Sequence, residues 1–195
     1  MAAAPTPCDE DLMLAYAAGD AAAFDTLYAR HKGGVYRYLL RQCRHGGVAD
    51  ELFQDVWMNL IRARTGYAPT AKFTTWLYRL AHNRLVDHYR ATGVATLVST
   101  NDEAHADAVA AIAADCGDDP NARAENRELG ERLKSAVATL PPAQREAFLL
   151  HQEGGLSLAE IAELTGVGLE TVKSRLRYAT NKLRSDLSDL YEPQR

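Results

Sequence analysis

The chain is poor in cysteine, in long apolar runs and in positive charge, and each shortage narrows what it can be. Its three cysteines, Cys8, Cys43 and Cys116, stand singly. They form neither an even disulfide framework nor a CxxC metal pair and read as reduced thiols. No run of about eighteen apolar residues occurs, so neither a membrane-spanning helix nor direct membrane insertion is expected. The Ala-rich start, Met1 to Pro7, lacks the basic stretch and long apolar core of a signal peptide. These shortages point to a protein of the cytoplasm. No histidine stands at ligand spacing beside the carboxylates of Asp50, Glu51 and Asp55. No metal site and no cofactor are therefore expected, and an acid/base site built on those carboxylates is disfavoured. Basic residues are outnumbered, 22 against 26 acidic ones for a net charge of −4, which by itself argues against a nucleic-acid partner.

The distribution of that charge reverses the argument. Between Lys72 and Arg90 the basic residues Lys72, Arg79, Arg84 and Arg90 meet only Asp87. From Glu170 to Arg184, Lys173, Arg175, Arg177, Lys182 and Arg184 meet only Glu170. The compensating acids gather at Asp50, Glu51 and Asp55 and between Asp102 and Asp119. Two basic stretches separated by an acidic one suit a chain that touches nucleic acid in two places.

With 195 residues, 47% of them apolar, the chain can build two small cores. Phe24, Leu27, Tyr28, Val35, Leu39 and Leu40 recur at helical steps, and Gly46-Gly47 is expected to end that run. Leu52, Phe53, Val56, Trp57, Leu60 and Ile61 form one wide stripe on a second helix, with Asp50, Glu51, Gln54 and Asp55 on its other face. A third helix is expected from about Thr74 to Arg90. Residues 1–10 read as a disordered tail, 11–92 as an all-helical domain, 93–126 as a flexible acidic linker with transient helix at Ala104 to Ala114, 127–190 as a second helical domain and 191–195 as a tail. The fold class is all-α.

The strongest local signal lies in the second domain. Pro141-Pro142 stops one helix and permits another. Ser157 and Glu160 match a capping box before Leu158, Ile161, Ala162 and Leu164; Gly166 ends that short helix, and a basic helix follows from Glu170. A capped short helix, a glycine turn and a basic helix make a helix-turn-helix. Its outward candidates are Glu170, Thr171, Lys173, Ser174, Arg177 and Tyr178; Arg and Lys donate to guanine edges, and hydroxyls mostly position on phosphates. In the first domain, Tyr67 precedes the basic helix, a placement that suits single-stranded nucleic acid, with aromatic stacking worth about 1–3 kcal/mol per base and Lys72, Arg79 and Arg84 available to phosphates.

Two separate segments then carry a family resemblance. Val48 to Trp57 (VADELFQDVW) and Phe73 to Asn83 (FTTWLYRLAHN) resemble sigma domain 2 of extracytoplasmic-function (group IV) sigma factors; Leu140 to Phe148 (LPPAQREAF), Glu160-Ile161-Ala162 and Thr171 to Leu176 (TVKSRL) resemble their domain 4. The likeness spans nearly all of the chain except the linker and tail. It implies a non-enzymatic subunit that binds RNA polymerase core and promoter DNA. By the resemblance, Asp50, Glu51, Gln54 and Asp55 dock on the clamp of the largest subunit, and domain 4 sits on the flap of the second-largest. A base flipped from the minus-10 element enters a pocket at Ala63, Tyr67, Leu80 and Asn83, and the helix from Glu170 reads the minus-35 element. Many members are held by an anti-sigma factor. This chain departs from the family in having Tyr178 where Arg is common and His82 where a basic residue is frequent. At pH 7 His82 reads as an uncharged surface residue. The linker of roughly 35 residues reaches about 115 Å when extended, ample for two DNA turns of about 70 Å. The rival readings are a stand-alone helix-turn-helix regulator, which needs a dimerisation or ligand surface in the first domain, and a helical hydrolase using Asp50 to Asp55.

Overall fold

The computed structural model describes residues 7–93 and 120–188, with side chains from Leu129 onward in the second span. Every regular element among them is helical. The expected linker helix at Ala104 to Ala114, Cys116 and the tail at 191–195 lie outside the described residues.

Helix α1 (Asp9–Ala17) begins with Cys8 as its cap and carries Asp9, Glu10 and Asp11 in its first turn, where carboxylates favour the positive helix end. It starts inside the stretch expected to be a tail. Asp9 holds Arg30 at 2.6 Å and His31 at 2.7 Å, which ties this end of the chain to α2. Helix α2 (Ala21–Cys43) is capped by Asp20, whose carboxylate accepts from the amides of Ala22 and Ala23. Its end differs from the expectation. The chain turns at Arg44, in the left-handed region with a φ of 58°, and His45 caps α3 (Gly46–Ala63). Gly46-Gly47 therefore opens the third helix instead of ending the second, because Arg44 has already broken the hydrogen-bond ladder. A short 3-10 turn (Arg64–Gly66) and a loop lead to α4 (Phe73–Thr92), ended by Gly93 at a φ of 69°.

These helices close on Met13, Leu27, Val35, Leu39, Leu52, Val56, Leu60, Phe73, Leu77 and Leu85, all buried. The stripe anticipated on α3 is inward, and its second column joins an aromatic cluster. Trp57 lies edge-on to Phe24, Tyr28 and Phe53 at centroid distances of 5.9, 4.8 and 6.1 Å.

The second unit comprises α5 (Pro120–Ala138), α6 (Pro142–Gly154), α7 (Leu158–Thr165) and α8 (Leu169–Asp186). Helix α5 reaches back to Pro120, seven residues into the span expected to be linker. Pro142 occupies the first turn of α6, where its missing amide costs no helical bond. Val137, Leu140, Leu149, Leu150, Leu156, Ile161, Val172 and Ala179 are its buried apolar side chains, continuous with those of the first unit in one cluster.

The two units are packed together. Any Cβ at Gly34 of α2 would lie 2.8 Å from Tyr78 Oη and 3.2 Å from the Glu153 carbonyl, and one at Gly154 would meet Leu156 Cδ1 at 2.6 Å and the Tyr78 ring at 3.2 Å. Gly34 lets the end of α6 approach α2, and Gly154 makes room for Tyr78 of α4 between them. Tyr78 Oη donates to the Glu153 carbonyl at 2.7 Å, and the Glu153 carboxylate accepts from Arg37 and Arg41. Behind this contact lies a polar layer of Gln42, Arg145 and Glu146, each under 5% exposed. Its hydrogen bonds are long, 3.4 Å from Arg145 to Gln42 and to the Leu140 carbonyl. Tyr38 Oη and Gln42 Nε2 are buried without a partner among the described residues. Such atoms cost about 1–3 kcal/mol each, which weakens the contact between the units.

Gly154→Ala should destabilise the chain by about 1–3 kcal/mol through overpacking against Leu156 and Tyr78. Gly130→Ala, in α5 with open space where a Cβ would stand, should stabilise by about 0.4–1 kcal/mol. Urea unfolding of both variants checks the contrast.

Candidate nucleic-acid and polymerase interfaces

Helix α7 has eight residues and needs its ends fixed. Ser157 Oγ accepts from the Glu160 amide at 3.3 Å, and Glu160 Oε2 accepts from the Ser157 amide at 2.8 Å. The anticipated capping box is therefore present. Gly166, at a φ of 68°, turns the chain, and fully buried Val172 pins α8 against α7. Of the six candidate residues on α8, Glu170, Thr171, Lys173, Arg177 and Tyr178 are exposed and Ser174 is half-buried. Lys173 Nζ lies 2.7 Å from Glu170 Oε1. The Arg177 guanidinium sits 5.2 Å from the centre of the Tyr178 ring, which is 54% exposed. Such an outward row of donors and one aromatic face can enter a major groove.

Helix α4 presents the second surface. Lys72, at its N-cap, offers no side-chain cap. Glu10 of α1 supplies one from afar, its carboxylate accepting from the Phe73 amide at 2.6 Å; that bond is the main reason its pKa is lowered. Asn83 is exposed, whereas Ala63 and Leu80 are half-buried. Tyr67 is half-buried too, edge-on to Trp76 at 5.0 Å. Burial, reinforced by the nearby Glu10 carboxylate, pushes its phenol up to about 12. Part of its ring is thus committed to packing.

Asp50, Glu51 and Gln54 line the outer face of α3. Asp50 neighbours Tyr36, whose phenol is raised by burial and by that carboxylate. Asp55, grouped with these three from the sequence, instead accepts from Arg84 Nε at 2.7 Å. One residue assigned to polymerase and one assigned to DNA are therefore partners.

Three residues of α4, Thr75, Arg79 and His82, face the second unit, a partner that no local pattern indicates. Thr75 Oγ1 donates to Glu160 Oε1 at 2.5 Å, and Arg79 Nη2 lies 2.6 Å from Glu163 Oε1. His82, expected at the surface, is only 12% exposed and stands with Nδ1 2.9 Å from Glu146 Oε1, although neither atom makes a hydrogen bond. These contacts span 64 to 85 residues of sequence, and only the acid content of α6 and α7 hinted at them. For Glu160, burial acts upward but is outweighed by hydrogen bonds from the Ser157 and Thr75 hydroxyls and the Ser157 amide and by the charge of Lys72; the carboxyl is held at about 2. No cluster of metal-ligating side chains occurs among the described residues. None of the helices there is long and apolar enough to cross a membrane.

Comparison with known proteins accords with this geometry. The Sigma-70 region 2 family matches residues 27–94 and the Sigma-70 region 4 family residues 130–183. RNA polymerase sigma factor CarQ of Myxococcus xanthus is 32% identical over 168 residues, 86% of this chain and 91% of that protein. The ECF RNA polymerase sigma factor SigK of Mycolicibacterium vanbaalenii is 32% identical over 174 residues, 86% of this chain and 83% of its own length. Two solved structures share the fold. CnrH, in complex with the cytosolic domain of CnrY, has a TM-score of 0.62 at 24% identity over 94% of this chain and 99% of that one. RpoE of Bartonella quintana, with the anti-sigma factor NepR, has a TM-score of 0.64 at 22% identity over 85% and 96%. The chain belongs to the extracytoplasmic-function sigma factors, a family of transcription initiation factors that bind RNA polymerase core and direct promoter-specific transcription.

Because the folded pKa of Glu160 lies below the unfolded carboxylate value, its contacts add stability that is complete above about pH 4.5 and fades as pH falls through about 2. Thr75→Val should move the Glu160 titration upward, toward 4.5, when followed by carboxyl carbon NMR. An unmoved midpoint would show that α4 and α7 are not joined at this point in solution.

Proposed function

We propose that the two exposed faces divide promoter reading between them. The observation that carries this is the outward row on α8, set by the Ser157 cap, the Gly166 turn and buried Val172. On this reading Glu170, Thr171, Lys173, Ser174, Arg177 and Tyr178 meet the minus-35 duplex, with Lys173 and Arg177 the donors best placed for base edges. The replacement of a common Arg by Tyr178 exchanges a charged donor for a ring and a hydroxyl, altering preference at one position.

At the minus-10 element a flipped base rests among Ala63, Tyr67, Leu80 and Asn83, while Lys72, Arg79 and Arg84 follow the phosphates. Capture of the strand offsets unstacking, a few kcal/mol per base, so no bond-making residue is needed and the protein is not an enzyme. Asp50, Glu51 and Gln54, with Asp55 beside Arg84, form the acidic face for the clamp of the largest polymerase subunit. The second unit meets the flap of the second-largest. The protein works in the bacterial cytoplasm, and an anti-sigma factor of the kind bound by its RpoE neighbour is a further partner class.

Run-off transcription with sigma-free core on genomic promoter fragments tests this. Wild-type protein should give discrete transcripts. Lys173→Ala should weaken minus-35-dependent initiation by about 5- to 150-fold, matching roughly 1–3 kcal/mol for a lost base contact. Asn83→Ala should lose open complexes without losing core binding. Protection of duplex DNA by the protein alone, with no transcript from any template, would favour a stand-alone regulator instead.

A further inference from the structure

The first turn of α4 has no cap of its own. Its N-cap residue, Lys72, makes no side-chain bond to the helix, and the Phe73 amide donates instead to the Glu10 carboxylate at 2.6 Å. That acceptor stands on α1, which is itself anchored: Asp9, the preceding residue, holds Arg30 at 2.6 Å and His31 at 2.7 Å on α2. The His31 ring in turn lies 5.3 Å from that of Phe73. A charged acceptor on an otherwise orphan helix amide makes one of the stronger hydrogen bonds.

Tyr67 depends on the same turn. Its hydroxyl is buried with no hydrogen-bond partner among the described residues, so the side chain is held by ring contacts. It lies edge-on to Phe73 at 6.4 Å and to Trp76 at 5.0 Å, and those two rings are 6.0 Å apart. Phe73 opens α4, and the Trp76 amide donates to the Lys72 carbonyl at 3.1 Å as the first bond of the helix. Fraying of this turn displaces both rings against which Tyr67 rests. Residues 68 to 72 are exposed, so the loop takes its position from its two ends.

We infer that Glu10 is a positioning residue for strand capture: by capping α4 from α1 it holds Phe73 and Trp76, and through them Tyr67, in the geometry that receives the flipped minus-10 base. The inference rests on the reading of Tyr67 and Asn83 as parts of that pocket. Its sign is opposite to that of simple electrostatics. A carboxylate beside the phosphate path repels the strand, so losing its charge alone leaves binding unchanged or tighter, whereas losing the cap weakens it.

The test uses holoenzyme assembled from the full-length chain and sigma-free core, titrated with the labelled non-template minus-10 strand of a promoter found by run-off transcription. Glu10→Ala removes the acceptor and should weaken strand binding by about 2- to 30-fold, the span of a lost capping acceptor when only the capped turn is competent. Glu10→Asp keeps the charge on a shorter stem and should weaken binding in the same direction; it stands in for the alanine variant should that one fold poorly. Glu10→Gln keeps an oxygen within reach of the Phe73 amide and should bind as the wild type does or more tightly. Binding of the minus-35 duplex and affinity for core should not change in any of the three. Unchanged strand affinity in Glu10→Ala or Glu10→Asp would overturn the role. So would equal losses in the alanine and glutamine variants, which would make charge and not capping the cause, or parallel losses of strand, duplex and core binding, which would make Glu10 a residue of the fold alone. Asn83→Ala separates the inference from the reading beneath it. If that variant loses strand binding while Glu10→Ala keeps it, the positioning role alone fails; if neither loses it, the pocket assignment fails as well.

Discussion

The Glu153 carboxylate, 9% exposed, lies between Arg37 and Arg41, which stand one turn apart on α2. Near the C-terminal end of α6 an acid is unfavourable, because the last helix carbonyls already concentrate negative charge there. The two guanidiniums and the Tyr78 hydroxyl on the Glu153 carbonyl answer that charge together. The arginines need the acid in turn. Like charges one turn apart repel, and burial already lowers the pKa of Arg41. This contact fixes the direction in which α6 leaves the first unit. That direction lays α7 over α4, bringing Glu160 to Thr75 and Glu163 to Arg79.

Net charge is a poor guide to such a molecule, because its two basic helices have different surroundings. On α8 the acids are local: Glu170 pairs with Lys173 and Asp186 with Lys182, both within one turn. These exposed pairs are worth little and leave the cations available. On α4 only Arg90 has a local acid, Asp87 at 3.9 Å, and the shorter pairs are remote. Arg79 is taken by α7 and Arg84 by Asp55 of α3, so two of its basic groups are matched within the chain. Described acids that face α4 thus come from its helical neighbours, not from a separate acidic tract.

What the sequence made legible was local in origin. The capping box at Ser157 and Glu160 and the turn at Gly166 depend on residues within one or two turns of each other, and both are found as expected. The same holds for the stripe of Leu52, Val56 and Leu60 on α3. Failures came where a distant residue supplied the missing partner. Nothing near Phe73 indicates that Glu10 caps α4, since 63 residues separate them. His82 read as a surface histidine because its burial is caused by α6, which no helical period on α4 reports. Gly46-Gly47 misled for another reason: glycine is a common helix terminator, but Arg44 adopts the left-handed turn two residues earlier. Of the candidate site residues, those on α8 share one face, whereas Asp55 and Arg84 were set apart by sequence and are joined in space.

The quality of the contact between the units bears on how they work. Each unit contributes buried side chains, such as Leu52, Leu60, Leu149 and Ile161, to one apolar cluster that runs through both. Beside that cluster the units also share a polar layer, with Arg145 buried, its guanidinium lowered to about 10 by burial and by neighbouring Arg44, and its hydrogen bonds stretched to 3.4–3.5 Å. A permanent interface resembles a domain core cut in half. This one keeps charged groups buried without full satisfaction, an arrangement in which breaking the contact returns them to water and recovers their solvation. On the proposed assignment, two readers of promoter elements about 70 Å apart cannot remain side by side while both are engaged. A contact specific enough to define one closed geometry, yet poorly enough satisfied to be given up, is compatible with that separation in a way that a dry apolar interface would not be.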